Sequence, residues 1–386
     1  MAHAPIVIVG AGLGGLTLAR ILHANGVESV ILELETDRHA RVQGGMLDIH
    51  DDGGQVALRA GKLHDKFGEL ILPGAEARRV LDRHATVWFS SGGPGGRPEV
   101  ERGQLRQMLL DSLPEPTIRW GAKVVSVRRP EDGPTEVSLA DGSVYTCDLL
   151  IGADGTWSRV RPLLTDAVPA YSGVTSVEGY LYDSDERCPE AAGAVGAGSL
   201  FAVGHGRSIM AHREARGTLH FYAWMCVPDG WAGDIDFTDA ATAKQAVLDQ
   251  YPEWAPPLRR LIAGADSDLV ARALYQLPAG LRWERLPGVT LLGDAAHVMV
   301  PTGDGANLAM QDAADLAAAI LDHPGDVEAA LAAYESVLFA RAEAVALESG
   351  PIVDLLVRDP QAPRRFAELF ASLEGGSLAE PEPSPV

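Results

Sequence analysis

The stretch from residue 5 to residue 33 constrains this chain more than any other. Residues 5–9 are apolar and β-branched, and Gly10-Ala11-Gly12-Leu13-Gly14-Gly15 follows at once, spelling G-x-G-x-x-G. Leu13, Leu16, Leu18, Ile21 and Leu22 then recur at helical spacing, and Ser29-Val30-Ile31-Leu32-Glu33 is a second apolar run that closes on an acid. Strand, glycine turn, helix and strand make a βαβ unit. Such a turn aims backbone amides of the loop and helix start, here Gly10 to Gly15, at a dinucleotide pyrophosphate. Gly10 permits the tight turn, Gly12 lets phosphate approach the backbone, and Gly15 lets helix and strand pack closely. Glu33, 18 residues beyond Gly15, stands where a strand-end carboxylate accepts hydrogen bonds from ribose hydroxyls.

The 386 residues allow two domains or three. With 46% hydrophobic and 22% charged residues the balance is globular, which excludes disorder, collagen and coiled coil. A formal charge of −21 repels phosphate backbones and anionic lipid, so neither nucleic acid nor a membrane surface is an expected partner. Cys147, Cys188 and Cys226 are far apart with no C-x-x-C pair, which fits a reducing compartment and gives no metal site. No uncharged apolar run reaches the ~18 residues needed to span a bilayer. A cytoplasmic protein is expected. Four short β-rich runs, residues 123–127, 135–139, 143–146 and 148–151, read as an antiparallel meander. Period-two runs between residues 171 and 227 suggest a separate antiparallel sheet. Residues 289–293 read as a buried strand, 305–321 as a helix, and 327–373 as helices broken by Gly350-Pro351 and Pro360.

Two more strand-end loops carry aspartates. One is Cys147-Asp148-Leu149-Leu150-Ile151-Gly152-Ala153-Asp154-Gly155. The other is Val289-Thr290-Leu291-Leu292-Gly293-Asp294-Ala295-Ala296-His297, continuing through Pro301 and Gly303-Asp304-Gly305-Ala306-Asn307. Together with the glycine turn they resemble the class A flavoprotein monooxygenases, aromatic hydroxylases that hold FAD noncovalently and have no separate NADPH domain. Arg38-His39-Ala40-Arg41-Val42-Gln43-Gly44-Gly45-Met46-Leu47-Asp48 is most similar to the tetracycline-inactivating members. The resemblance implies an α/β fold: a Rossmann-like FAD-binding domain of the p-hydroxybenzoate hydroxylase type, a second antiparallel-sheet substrate domain, and C-terminal helices. The implied FAD-binding segments are residues 1–75, 96–168 and 276–322. Residues 76–95 would supply substrate-domain strands, 169–275 the substrate-binding sheet, 323–374 the C-terminal helices and 375–386 a disordered tail.

By resemblance, Gly10, Gly12, Leu13, Gly14 and Gly15 hold the cofactor, Glu33 binds the adenosine ribose, and Asp294 of the Gly293-Asp294 motif binds the ribityl and pyrophosphate part. Asp154 is assigned to FAD and NADPH positioning. Arg102 matches an arginine that opens a helix and reaches the cofactor. Arg41 matches an arginine that contacts FAD, with Gly44 and Gly45 beside the isoalloxazine, where glycine admits a close ring, and Asp48 of the same segment is counted with the cofactor-binding residues. The loop of Pro301, Gly303, Gly305, Ala306 and Asn307 passes the flavin ring. Two positions depart from the pattern: Leu34 stands where arginine is frequent, and the Pro301 to Asn307 loop is one residue shorter than the usual Pro-x-x-Gly-x-Gly-x-Asn. The W-x-W-x-I-P motif of flavin halogenases is absent.

Laid against tetracycline-inactivating relatives, His220 falls on a substrate-contacting histidine, Glu178 on a glutamine and Arg207 beside an arginine. Alternation puts His220, Tyr222 and Trp224 on one strand face, a lining for a flat polycycle. His220 would hydrogen-bond an enol oxygen, and an ionised Glu178 would favour a cationic group. The implied activity uses NADPH or NADH and O2 to hydroxylate an aromatic or polycyclic, tetracycline- or polyketide-like small molecule through a flavin C4a-hydroperoxide, with antibiotic resistance among the roles such enzymes serve. No serine, cysteine or metal nucleophile is needed. The same fold serves flavin dehydrogenases and reductases, and a flavin-holding protein that sequesters a ligand is a further reading. A monomer is expected.

Overall fold

The computed structural model describes residues 2–40, 44–93, 95–131, 133–204 and 206–374. Arg41 and the tail 375–386, both singled out above, lie outside the described residues. The chain forms two compact units. The first comprises residues up to 71, 102–170 and 275–349; the second comprises 72–101, 171–274 and 350 onward.

At the centre of the first unit is the strand Ala2–Val9, whose Val7 and Ile8 are completely buried. It lies parallel to Val30–Leu32 on one side and to Val144–Gly152 on the other. Ile118–Arg119 extends the sheet beyond Val30–Leu32, also in parallel. On the far side, Val144–Gly152 serves two neighbours: its first half pairs antiparallel with Thr135–Leu139, which pairs with Val124–Arg128, and its end pairs parallel with Val289–Leu291. The expected break between residues 146 and 148 is therefore corrected. No turn residue separates Thr146 from Asp148, Cys147 is fully buried, and Leu149 to Ile151 continue one apolar strand covered on both faces. Burial pushes the Cys147 thiol up to about 12, so it is inert.

Helix Leu13–Ala24 buries Leu16, Leu18, Ile21 and Leu22 and packs against Gly305–Asp322, where Gly14 lies against Ala309. The strand-turn-helix geometry is set by the glycines. Gly10 has φ +104°, and a Cβ added to Gly15 would lie 2.1 Å from the Gly10 carbonyl oxygen. At Gly14 the added atom would lie 2.7 Å from Leu292, whereas at Gly12 it would meet nothing within 4 Å.

The second unit is built on a sheet in the order Val270–Gln276, Ala170–Leu181, Leu219–Met225, Arg207–Arg213, Ser199–Gly204, Arg78–Asp82, Val87–Ser91. Ala170–Leu181 through Ser199–Gly204 are antiparallel neighbours, but Ser199–Gly204 runs parallel to Arg78–Asp82. The sheet is thus mixed rather than wholly antiparallel, because Arg78–Asp82 arrives from a distant part of the chain and no hairpin dictates its direction. On one face Leu200, Ala202, Ile209, Ala211, Phe221 and Ala223 form a core with residues of the helices Pro189–Val195, Ala240–Leu248 and Pro256–Ala263. Tyr251 is fully buried within it and donates to the carbonyls of Ser208 (3.1 Å) and Trp224 (2.9 Å).

Helix Val327–Val357 runs through Gly350-Pro351, which corrects the expected break there. Pro351 lacks the amide that would bond residue 347, but both residues lie on an exposed turn where water can serve that carbonyl. Ala362–Leu373 packs Phe366 and Phe370 on Phe201, with ring centroids 5.2 Å apart in both pairs. Among the described residues no helix is long and apolar enough to cross a membrane.

Gly15→Ala is expected to lower the unfolding free energy by about 1–3 kcal/mol through overpacking, and Gly12→Ala by less than about 0.5 kcal/mol. Denaturant titration of the two apoproteins checks the contrast.

Candidate functional site

Register places the sequence motifs together. Val9 pairs with Leu32 on one side and with Gly152 on the other, and Gly152 pairs with Leu291. Gly10, Glu33, Ala153-Asp154 and Leu292-Gly293-Asp294 therefore leave one sheet at one edge, outside the carboxyl ends of parallel strands, where ligands bind in such sheets. The ladder continues past the strands: Gly10 donates to the Leu32 carbonyl, Ala153 to that of Val9 and Leu292 to that of Gly152, each at 2.9 Å.

Glu33 is tied into the glycine turn. Its carboxylate accepts from the Ala11 amide at 2.5 Å and from the Glu35 amide at 2.8 Å. Arg106, buried, donates to the Ala11 carbonyl (3.3 Å) and to the Glu35 carboxylate (3.0 Å) and so braces the same turn. Leu13 and Gly14 sit in the first helical turn, packed inward, and Leu34 is exposed.

Gly293 turns the chain with φ +59°, and its amide donates to Asp312 at 2.8 Å. Asp294 follows on the open side of the turn. No protein donor reaches its carboxylate among the described residues, and the surrounding protein raises it above the usual carboxylate range, partly offset by the charges of His297, Arg102 and Arg161. Asp154 is raised by burial as well; one of its oxygens accepts from the Arg159 amide at 2.6 Å and the other is buried without a partner. Arg161 links the two loops, donating to the carbonyls of Ala295 (2.7 Å), Thr156 (2.9 Å) and Asp294 (3.1 Å).

Two further segments meet beside this edge. The Arg102 amide donates to the Gly45 carbonyl at 2.9 Å, and Gly45 has φ +94°. Gly303, with φ +116°, lies beside the Asp48 carboxylate. Pro301 is exposed, and Gly305 and Ala306 open the helix Gly305–Asp322. Asn307 is committed within the protein: its side chain accepts from the amides of His50 (2.9 Å) and Gly54 (3.1 Å) and donates to the Asp48 carbonyl (2.8 Å). It fixes the segment carrying Asp48. An open amide turn at Gly12, the unpartnered Asp294 carboxylate and the orphaned Asp154 oxygen suit a pyrophosphate flanked by hydroxyls, which is what FAD presents.

In the second unit Glu178, His220 and Tyr222 converge on the sheet face opposite the core. Tyr222 sits across from Glu178, and His220 across from both Tyr180 and His212. His220 is 2% exposed and stacks on Tyr180 with centroids 4.0 Å apart; its Nδ1 lies 3.0 Å from the Tyr222 hydroxyl. Glu214 approaches Nδ1 at 3.5 Å and Glu178 approaches Nε2 at 3.7 Å. Burial alone would lower the His220 pKa, but the two carboxylates outweigh it and the ring is held above its ordinary value. The Glu178 carboxylate also takes Arg272 at 2.7 Å, so its charge is already answered and the expected preference for a cationic ligand falls away. Trp224 lies two residues further along, nearly buried. Arg207 is not part of this cluster: it pairs across from Met225, five positions from the His212–His220 pair, or about 17 Å along the strand, and donates to Gln250 at 2.9 Å.

A family described as FAD binding domain matches residues 3–185 and 282–349. The monooxygenase asqM of Emericella nidulans is 30% identical, over 88% of this chain and 92% of its own length. This chain belongs to the FAD-dependent monooxygenases. Klebsiella pneumoniae HpxO complexed with FAD and uric acid shares the fold at a TM-score of 0.79 and 24% identity, covering 97% of this chain and 93% of that one. The tetracycline destructase Tet(51) shares it at a TM-score of 0.70 and 18% identity, covering 97% and 98%. The α/β architecture and the FAD cofactor that the resemblance implies stand, as does the class A resemblance itself.

Sequence reading of this monooxygenase missed Arg106, Arg161, Asp312 and Glu214. Arg161 had a signal: it stands seven residues after Asp154, on the far side of the same loop. The others are joined to their partners only by the fold.

The purified monooxygenase is expected to be yellow and to release intact FAD on heating. Gly12→Ala and Asp294→Ala should each weaken FAD binding, the second by about 1–3 kcal/mol for each donor left unpaired, and fluorescence titration of apoprotein with FAD measures both losses.

Proposed function

We propose that this monooxygenase hydroxylates a flat, electron-rich aromatic or enolic small molecule, with fused-ring compounds of the tetracycline or polyketide kind as the leading class, using NADPH or NADH and O2. The observation that carries this reading is the ring stack on the substrate sheet: Tyr182, half-exposed, lies parallel to Tyr180 at 6.2 Å, and Tyr180 lies parallel to the buried His220 at 4.0 Å. Parallel rings at the border between core and solvent suit a planar ligand. The fold shared with a tetracycline destructase supports the substrate class. In the notation of the whole reaction, substrate–H, O2, NAD(P)H and a proton give substrate–OH, NAD(P)+ and water.

FAD, when bound, supplies the redox chemistry, accepting hydride from NAD(P)H and activating oxygen. The chain's own residues prepare the ligand. His220 Nε2 makes no hydrogen bond within the protein, its nearest carboxylate being Glu178 at 3.7 Å, and is a donor for an enolate or phenolate oxygen. Glu178 and Glu214 hold the imidazole protonated, so that it stabilises the anionic and more nucleophilic form of the substrate. Tyr222, hydrogen-bonded at Nδ1, fixes the ring plane. Arg207, whose Nε is buried without a partner, is proposed to act at a distance as support for that sheet end.

The test is oxidation of NADPH and NADH with oxygen uptake across phenols, polyketide polyphenols and tetracyclines, with product masses. The expected result is one oxygen atom added per NAD(P)H consumed for at least one fused-ring compound. His220→Ala should lower kcat/KM about tenfold, as loss of one charge-assisted hydrogen bond requires. Because the His220 pKa is raised, the contribution of its imidazolium is fully present below the ordinary histidine value, persists above it and is lost as pH rises through the raised one. The kcat/KM of wild type should therefore fall on the alkaline side, and His220→Gln should lack that fall. Turnover confined to single-ring substrates would overturn the fused-ring assignment, and an alkaline limb unchanged in His220→Gln would overturn the role of His220.

A further inference from the structure

A second concavity lies on the helical side of the second unit, across the sheet from His220. Between helices Pro189–Val195 and Pro256–Ala263 and the end of Ala240–Leu248 the chain leaves an open cavity of about 580 Å³, within the span of ordinary small-molecule sites. No residue of the proposed substrate site lines it. Its walls carry Arg187, Arg259 and Arg260 against a single carboxylate, Glu190. In a chain of formal charge −21 this local excess of cations runs against the composition as a whole.

The three guanidiniums are differently placed. Arg259 is anchored: its Nη1 donates to the carbonyls of Tyr251 (2.5 Å) and Leu248 (3.4 Å), while Nε and Nη2 meet no acceptor among the described residues. Arg187 pairs through Nη1 with Asp266 at 2.7 Å, and more than half of its side chain is exposed. Arg260, also exposed, has no acceptor for its guanidinium among the described residues. Unsatisfied cationic donors held near one another select an anion, and the guanidinium fork matches a carboxylate with two parallel bonds. The rest of the lining is apolar. Leu248 is half-buried, and Pro189, Pro256 and Ala263 are exposed, so covering them favours a ligand that brings an apolar surface of its own.

We propose that this groove binds a small organic anion, a carboxylate carried on an apolar body, at a site separate from the one that takes the substrate. The carboxylate meets Arg260 and the open nitrogens of Arg259, and the apolar body covers Pro189, Pro256 and Ala263. Inorganic phosphate gains only the first of these interactions and a neutral apolar molecule only the second. The proposal stands whether or not His220 serves the substrate.

The experiment is calorimetric titration of the FAD-loaded protein at low ionic strength, where charge pairing is least screened, with octanoate, octanamide and inorganic phosphate as probes. Wild type should take up one equivalent of octanoate at millimolar concentration or below, and bind octanamide and phosphate at least about tenfold more weakly, as loss of charge-assisted hydrogen bonds or of apolar cover requires. Arg260→Glu should weaken octanoate by about tenfold or more. Ala263→Trp, which fills the groove without changing its charge, should weaken it as well. Both residues are exposed, and an unchanged melting temperature shows that each variant folds. His220→Ala should bind octanoate as wild type does. Octanoate binding that survives both groove variants, or that is lost in His220→Ala, would overturn the proposal by placing the ligand elsewhere. Octanamide as tight as octanoate would overturn the selection of an anion, phosphate as tight would overturn the apolar half, and no uptake of octanoate by wild type would overturn the site.

Discussion

Everything in the first unit depends on the shared level at which its parallel strands end. Because Val9, Leu32, Gly152 and Leu291 are in register, four loops begin side by side, and each carries one part of the cofactor chemistry. Had any strand slipped by two residues, its loop would move by nearly 7 Å and the set would be dispersed. The strand Val144–Gly152 is what makes the set possible. Its first half is held by an antiparallel meander and its end by the late strand Val289–Leu291, so residues about 140 apart in sequence deliver Asp154 and Asp294 to one edge.

The second unit divides its sheet by the period of two. Odd-numbered residues from Leu219 to Met225 fill the core, and His220 and Tyr222 face the other way. That polar face is expensive to bury. It is balanced locally, with Arg272 and His220 against Glu178 and Glu214, so that the cluster carries no large net charge despite the strongly acidic chain.

Local patterns made much of this legible in the sequence. The glycine turn, Glu33, the Asp154 and Asp294 loops and the alternation at His220 are each encoded within a few residues, and each appears where its pattern put it. What was not legible depends on partners remote in sequence. Glu178 reads as a free carboxylate until Arg272, 94 residues away, is seen to neutralise it. Asn307 reads as a ligand-facing amide, yet three of its four hydrogen-bonding positions are spent on Asp48, His50 and Gly54. The parallel entry of Arg78–Asp82 and the continuation of a helix through Pro351 were hidden for a different reason: both run against a local rule, and the surrounding structure overrides it. Asp312 left no trace, since one of three aspartates in an alanine-rich helix looks like surface.

The bonds from the Ala11 and Glu35 amides to Glu33, and the brace from Arg106, are made by the protein to itself. The shape of the phosphate turn is therefore settled when the chain folds, and the entropy of ordering it is not charged against the nucleotide. A cradle finished in advance can be selective about stereochemistry and length, since a ligand must match fixed amides instead of moulding them. The turn itself then needs little rebuilding when the cofactor enters or leaves.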